Sequence, residues 1–274
     1  MSPRYEEHTA ADAARFIAVP RDDDDKYTRG VLGIITGSTM YPGAAVLGVE
    51  SALHTGVGMV RYLGPERPGA LVLARRPEVV TADGRVQAWL IGSGIDKVEG
   101  SESAKWMTEA TSQDVPVVLD GGALSLAGST RGPVVITPHF RELAKLVDGD
   151  AVEIAKEPGD AASRAAKSLG VTVLLKGHTT YVASPGGLLL SASVAPSWLA
   201  TAGAGDALGG ILGALVATHS AAIASDDELL ARLAATASVL HGLAAERASG
   251  GGPLTVLGLA AALPATIAAL LSRA

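Results

Sequence analysis

Short charge-free apolar runs recur along this chain with longer small-residue stretches between them, and that alternation restricts the fold more than any other feature. The runs span residues 31–36, 59–63, 88–91, 115–119, 134–137 and 171–175, interrupted by a single charge at Arg61 and mostly bounded by Gly, Pro or Asp. Runs of this length without charge are what strands buried on both faces require. Residues 43–55, 101–111, 140–147, 159–169, 206–219 and 228–248 lie between or after them and read as helices. Strand and helix alternate, so the chain is expected to be an α/β protein with a central, mostly parallel sheet and helices on both faces. Residues 181–184 and 188–192, joined by Pro185-Gly186-Gly187, predict a hairpin that adds an antiparallel edge. No repeat or compositional break divides the chain. One domain over residues 1–274 is expected, with residues 1–25 as a loosely packed N-terminal segment.

Composition removes several functional classes. The 22 Lys and Arg against 28 Asp and Glu leave a formal charge of −6, which repels a nucleic-acid backbone. With no cysteine there is no disulfide, thiolate nucleophile or zinc-thiolate site, and any metal must be held by oxygen or imidazole. The first thirty residues carry charges throughout and an acidic run from Asp22 to Asp25, which does not suit a signal peptide. Residues 250–272 are uncharged, but they are rich in Ala and Gly, contain Pro264 and lack an aromatic belt. They read as a buried C-terminal helix interrupted near Pro264, and the protein is expected in the cytoplasm without membrane or nucleic-acid partners.

The segment richest in chemistry is Ala200-Thr201-Ala202-Gly203-Ala204-Gly205-Asp206. Small residues let backbone approach a phosphate, and a helix starting near Asp206 aims free N–H groups and its positive dipole end at an anion. Gly203, Ala204 and Gly205 therefore form a candidate anion hole. Asp206 beside it can accept a proton from a hydroxyl that attacks phosphorus, or it can simply cap the helix. Lys176 ends a charge-free run, where it either meets phosphate or lies solvated. His54, His219 and His241 fall in or beside helical stretches and read as packing or capping residues.

Gly203-Ala204-Gly205-Asp206, followed by Leu208, Gly210 and Ile211, resembles the Gly-x-Gly-Asp turn of ribokinase-like enzymes. Further segments narrow the resemblance to the ADP-dependent (S)-NAD(P)H-hydrate dehydratases. These are Lys26-Tyr27-Thr28-Arg29-Gly30, Thr36-Gly37-Ser38, Tyr41-Pro42-Gly43-Ala44-Ala45, Thr55-Gly56-Val57-Gly58 and Gly92-Ser93-Gly94. Leu119-Asp120-Gly121-Gly122-Ala123-Leu124, Thr137-Pro138-His139 with Glu142, and Leu175-Lys176-Gly177-His178-Thr179-Thr180 continue the series. A series in order over two thirds of a chain is far more specific than one Gly-rich loop.

The resemblance implies a ribokinase-like fold and a hydro-lyase that uses ADP to dehydrate the S epimer of hydrated NADH or NADPH, releasing NAD(P)H, AMP and phosphate. It implies Asp206 as catalytic base; Ala44, Gly94, His139 and Asp206 at the hydrated nicotinamide; and Lys176, Gly177, His178, Thr179, Thr180 and Gly205 at the adenine nucleotide. It also implies Mg2+ on the phosphates, a homotetramer, and cooperation with a separate epimerase, with no epimerase domain expected ahead of this one. No protein ligand for the metal is identified. The chain departs from the family pattern at Ser193-Val194-Ala195-Pro196-Ser197-Trp198-Leu199, which makes the substrate-side loop unusual, and after Gly94 and His139. Two alternatives stand beside this reading: an ATP-dependent ribokinase-like kinase of a vitamin-precursor alcohol, and a non-catalytic nucleotide binder.

Overall fold

Each of the six apolar runs forms a strand of the computed structural model, which describes residues 4–272. The strands are β1 (Glu6–Glu7), β2 (Val31–Ile35), β3 (Met59–Tyr62), β4 (Ala88–Ile91), β5 (Val117–Leu119), β6 (Val134–Ile136), β7 (Thr172–Leu175), β8 (Thr180–Ala183) and β9 (Leu189–Ala192). The helices are α1 (Ala10–Ala14), α2 (Gly43–Thr55), α3 (Glu66–Arg75), α4 (Ala104–Thr111), α5 (Phe140–Leu146), α6 (Ala151–Lys156), α7 (Pro158–Leu169), α8 (Ala204–Thr218), α9 (Ser220–Ile223), α10 (Leu229–Ser249) and α11 (Val256–Leu271).

The nine strands make one sheet in the order β1-β9-β8-β7-β6-β5-β4-β2-β3. All neighbours are parallel except β7 with β8 and β8 with β9, the hairpin foreseen from Pro185-Gly186-Gly187. Alternate side chains feed two cores. Leu32, Ile34, Leu90, Val118, Val135 and Leu174 meet the helices α2, α8, α10 and α11 on one face. Ile35, Trp89, Ile91, Leu119, Ile136 and Val173 meet Met107 of α4, Leu143 of α5 and Ala162 of α7 on the other. Burial on both faces explains why these strands carry almost no charge.

The register brings the strand ends level. Ile35 lies opposite Ile91, Ile91 opposite Leu119, and Leu119 opposite Ile136. The residues that follow, Thr36, Gly92, Asp120 and Thr137, therefore share one edge. The chain order reverses between β2, whose other neighbour is β3, and β4; such a switch point opens a crevice at the carboxyl ends of the strands.

Two expectations are corrected. Part of the N-terminal segment is firmly packed: β1 pairs with β9, Thr9 and Asp12 form a reciprocal cap on α1, and Ala13 is fully buried. A polar-looking sequence concealed this because the contact is made by scattered residues: Ala13 and Ala14 are buried, Ala10, Phe16 and Ile17 pack beside them, and His8 meets Thr236. Pro264 does not interrupt the last helix, since α11 runs through it. The proline faces solvent while Leu259, Leu263, Thr266 and Leu270 are buried against the core, so packing holds the helix across one missing N–H. No described helix is long and apolar enough to cross a membrane.

Helices α2 and α8 touch through backbone, because a Cβ on Gly210 would collide with the Gly48 carbonyl oxygen. Gly210→Ala should therefore destabilise by about 1–3 kcal/mol. Gly43→Ala, at the open start of α2 where nothing lies within 4 Å, should be neutral or stabilising by up to about 1 kcal/mol. Urea denaturation of the two variants checks the contrast.

Candidate active site

Asp120 follows β5 directly and is 5% exposed. A carboxylate at that depth needs partners on both oxygens. The neighbouring strand ends supply them: Thr137 donates to Oδ1 at 2.8 Å, Ser93 donates to Oδ2 at 2.9 Å, and the Lys176 ammonium lies 2.7 Å from Oδ1. Burial pushes the Asp120 carboxyl up, but the Lys176 charge and these hydrogen bonds outweigh it and leave it below the usual range. Lys176 mirrors this. Burial alone would lower it, yet Asp120, Glu142 and Asp206 together hold it above its ordinary value. The Glu142 carboxylate lies 3.8 Å from the ammonium and accepts from the His139 backbone N–H at 2.8 Å.

The Lys176 ammonium is thereby delivered to the first turn of α8, 3.5 Å from where a Cβ on Gly205 would stand. Gly203 begins this turn at φ 89°, a conformation that favours glycine, and any side chain there would strike Leu47. The Ala204 N–H turns back to the Thr201 carbonyl at 3.3 Å and Ala207 bonds Gly203. Among the described residues the Gly205 and Asp206 amides have no backbone acceptor, so the free N–H groups lie one residue on from the predicted Gly203–Ala204–Gly205 set.

Asp206 occupies the third position of α8 and caps nothing: no side chain closes this helix start. Burial raises its carboxyl to about 6, the Asp120 charge adds to the rise, and Lys176 opposes both. A half-buried acid held by no hydrogen bond is poised to exchange a proton.

Two cavities flank this ridge. One, of about 490 Å³, is lined by His139, Lys176, Gly177, Thr180, Gly205 and His241, with Val194, Leu199 and Leu208 as apolar wall. The other, of about 610 Å³, is lined by Tyr41, Gly94, Gly121, Glu142 and Lys145 among others. Gly94 and Ala44 adjoin, since a Cβ on Gly94 would stand 2.5 Å from that of Ala44, and both belong to the β2–β4 crevice. His139 lies apart from them, in the first cavity. It caps α5, its Nδ1 accepting from Arg141 and Glu142 N–H groups, which places its ring proton on Nε2. His178 is exposed and Thr179 pairs with Ser193, so neither lines the cavity that holds Lys176, Gly177 and Thr180. In the unusual segment 193–199, Val194, Ala195 and Leu199 wall the Lys176 cavity.

Sequence reasoning gave Asp120, Ser93 and Thr137 no role. The available signal was a lone acid ending a charge-free strand, which demands a cation from another strand end of the same sheet edge. Lys176 is that cation.

Comparison with known proteins places this architecture. A ribokinase-like superfamily protein from Enterococcus faecalis V583 superposes with a TM-score of 0.81 at 22% identity, covering 97% of this chain and 96% of that one. The fold is ribokinase-like. A family model described as NAD(P)H-hydrate dehydratase matches residues 32–259, and the chain belongs to that family. The bifunctional NAD(P)H-hydrate repair enzyme Nnr of Mycobacterium tuberculosis is 42% identical over 225 residues, 76% of this chain and 45% of that protein. The ADP-dependent (S)-NAD(P)H-hydrate dehydratase of Neisseria meningitidis is 34% identical over 72% of each chain. The ADP/ATP-dependent NAD(P)H-hydrate dehydratase of Bacillus subtilis, co-crystallized with ATP/Mg2+, superposes with a TM-score of 0.85 at 25% identity over 98% of this chain and 99% of that one. The chain spans about half the length of the bifunctional relatives it matches.

Two stability measurements probe the site. Lys176→Met strands a buried carboxylate and should cost about 3–5 kcal/mol, much of it recovered in the Asp120→Asn, Lys176→Met double variant; urea denaturation reads both. Asp206 behaves oppositely. Its folded pKa is raised, so ionisation costs the native state stability that is intact below about pH 4, is lost as pH climbs to 6, and stays lost above. Asp206→Asn should therefore be more stable than the wild type at pH 8, by up to about 3 kcal/mol, with a narrower gap at pH 4.5 in thermal melts.

Proposed function

We propose that this chain repairs damaged nicotinamide cofactor, dehydrating the S epimer of hydrated NADH or NADPH at the expense of ADP and releasing NAD(P)H, AMP and phosphate. The observation that carries the reading is the Asp206 carboxylate: unpartnered, raised to about 6, and set between two free amides and the Lys176 charge. Family membership favours repair over the vitamin-precursor kinase, for which the same turn would serve.

The hydroxyl of the hydrated ring gives its proton to Asp206 as its oxygen bonds the β-phosphorus of ADP. The bond from that phosphorus to the bridging oxygen breaks, and AMP leaves. Phosphate is a far better leaving group than hydroxide. It departs with the C–O electron pair, the ring nitrogen's lone pair assists, and a proton lost from the adjacent carbon restores the dihydropyridine. Lys176 and the Gly205 and Asp206 amides neutralise charge on the phosphoryl oxygens, which is the main protein contribution to phosphoryl transfer. His139 offers its Nε2 to the nucleotide cavity that it lines, while Ala44 and Gly94 leave room for the dinucleotide at the β2–β4 crevice.

Among the described residues no three His, Asp or Glu side chains converge as metal ligands. Mg2+ would be carried in on phosphate and water. Bound there, it would neutralise phosphate charge, and no protein ligand is assigned. An epimerase, separate or joined to this unit, would supply the S epimer from its R counterpart. The homotetramer and the cytoplasmic location remain inferences from the resemblance.

The test is to mix the protein with acid-hydrated NADH, ADP and Mg2+ and follow the return of reduced-nicotinamide absorbance. ADP-dependent recovery is expected, and no recovery with ADP contradicts the reading. Asp206→Asn should lower kcat by about 10²–10⁴-fold while ADP binds within about threefold of wild type. Because the base must be ionised, kcat/KM should rise with pH through a single ionisation near 6 and then level.

A further inference from the structure

His241 lies in α10, far in sequence from every motif above, and is 7% exposed. Its Nε2 is fully enclosed and has no hydrogen-bond partner. The other deeply buried histidine, His8, shows the ordinary solution, its Nε2 standing 3.0 Å from the Thr236 hydroxyl. An unpaired polar atom at such depth costs about 1–3 kcal/mol, so native proteins leave few of them without a purpose. The imidazole of His241 lines the cavity that also holds Lys176 and Gly205.

The surroundings define what it can bind. Burial pushes the imidazole down to about 4; the Ala204 carbonyl pulls it partly back, and the Lys176 charge adds to the fall. It is neutral at physiological pH, with one N–H donor and one acceptor. Phosphate charge already has its receptors in Lys176 and the free amides of the α8 turn. Near His241 the wall is apolar or uncharged: Val194, Ala195, Leu199, Leu208 and Ser238. Loop and helix meet tightly here, since a Cβ on Gly242 would lie 2.7 Å from a Val194 methyl. A neutral hydrogen-bonding group in an apolar wall suits a nucleoside, not a phosphate.

We propose that His241 is a nucleotide-recognition residue whose imidazole, at the edge that lines the cavity, bonds an uncharged polar atom of the nucleoside part of the adenine nucleotide, while Lys176 and Gly205 take the phosphates. The inference rests on the proposed reading of this cavity as the nucleotide site.

The experiment is calorimetric titration of AMP, and separately of inorganic pyrophosphate, into wild type, His241→Leu and His241→Gln, with a thermal melt of each. His241→Leu should weaken AMP at least tenfold, leave pyrophosphate within about twofold, and melt no lower than wild type because it removes an unsatisfied buried atom. His241→Gln, which keeps a donor and an acceptor, should restore part of the AMP affinity. Should leucine lower the melting temperature, His241→Met carries the same comparison. Unchanged AMP affinity in a variant that melts like wild type overturns the inference alone. Equal losses for AMP and pyrophosphate also overturn it, in favour of a phosphate contact or a distorted site. Failure of wild type to bind AMP overturns it together with the nucleotide reading of the cavity.

Discussion

The ion pair between Asp120 and Lys176 is the constraint on which the site depends. Four neighbouring parallel strands, β2, β4, β5 and β6, end level, and the first polar side chains beyond them have nowhere to go but one shared edge. Asp120 is too deep for solvent to stabilise, so Lys176, Ser93 and Thr137 must all reach it. Neither charge can be removed alone without stranding the other. The consequence is a lysine whose ammonium is fixed before any ligand arrives, beside a glycine-built turn that would not tolerate a bulkier backbone at Gly203.

Asp206 is shaped by effects of opposite sign. The positive end of the α8 dipole and the Lys176 charge favour its ionised form. Burial and the nearby Asp120 charge oppose them, and the raised value shows that these win. An ordinary aspartate is a feeble base; one raised to about 6 is a stronger proton acceptor and still ionised at neutral pH. The same tuning makes the folded state less stable than an amide at that position would. A carboxylate that merely capped a helix would be hydrogen-bonded and lowered, as Asp12 is by Thr9 on α1.

Much of this was legible in the sequence because it follows from local periodicity. The charge-free runs marked β2 to β7, and α2 was readable to the residue from the Pro42-Gly43 start and the Gly56 end. The short β1 left no periodic trace, since its ladder partner β9 is over 180 positions away. Which amides stay free was not legible, because the Thr201 carbonyl's claim on Ala204 is a matter of turn geometry. No sequence pattern reveals that Val194 packs against Gly242 of α10 and that its segment walls the Lys176 cavity. His241 is the plainest case: within a helix it resembles any packed histidine, and only its missing partner and its place in a cavity wall distinguish it.

At the centre stands a carboxyl whose proton affinity is raised by burial rather than by a special residue type. Carbon-13 NMR titration of the Asp206 side-chain carboxyl, assigned by comparison with Asp206→Asn, measures this directly in the ligand-free protein. A midpoint near 6 is the expected result. A midpoint below about 4, the range of an exposed or hydrogen-bonded aspartate, would contradict it.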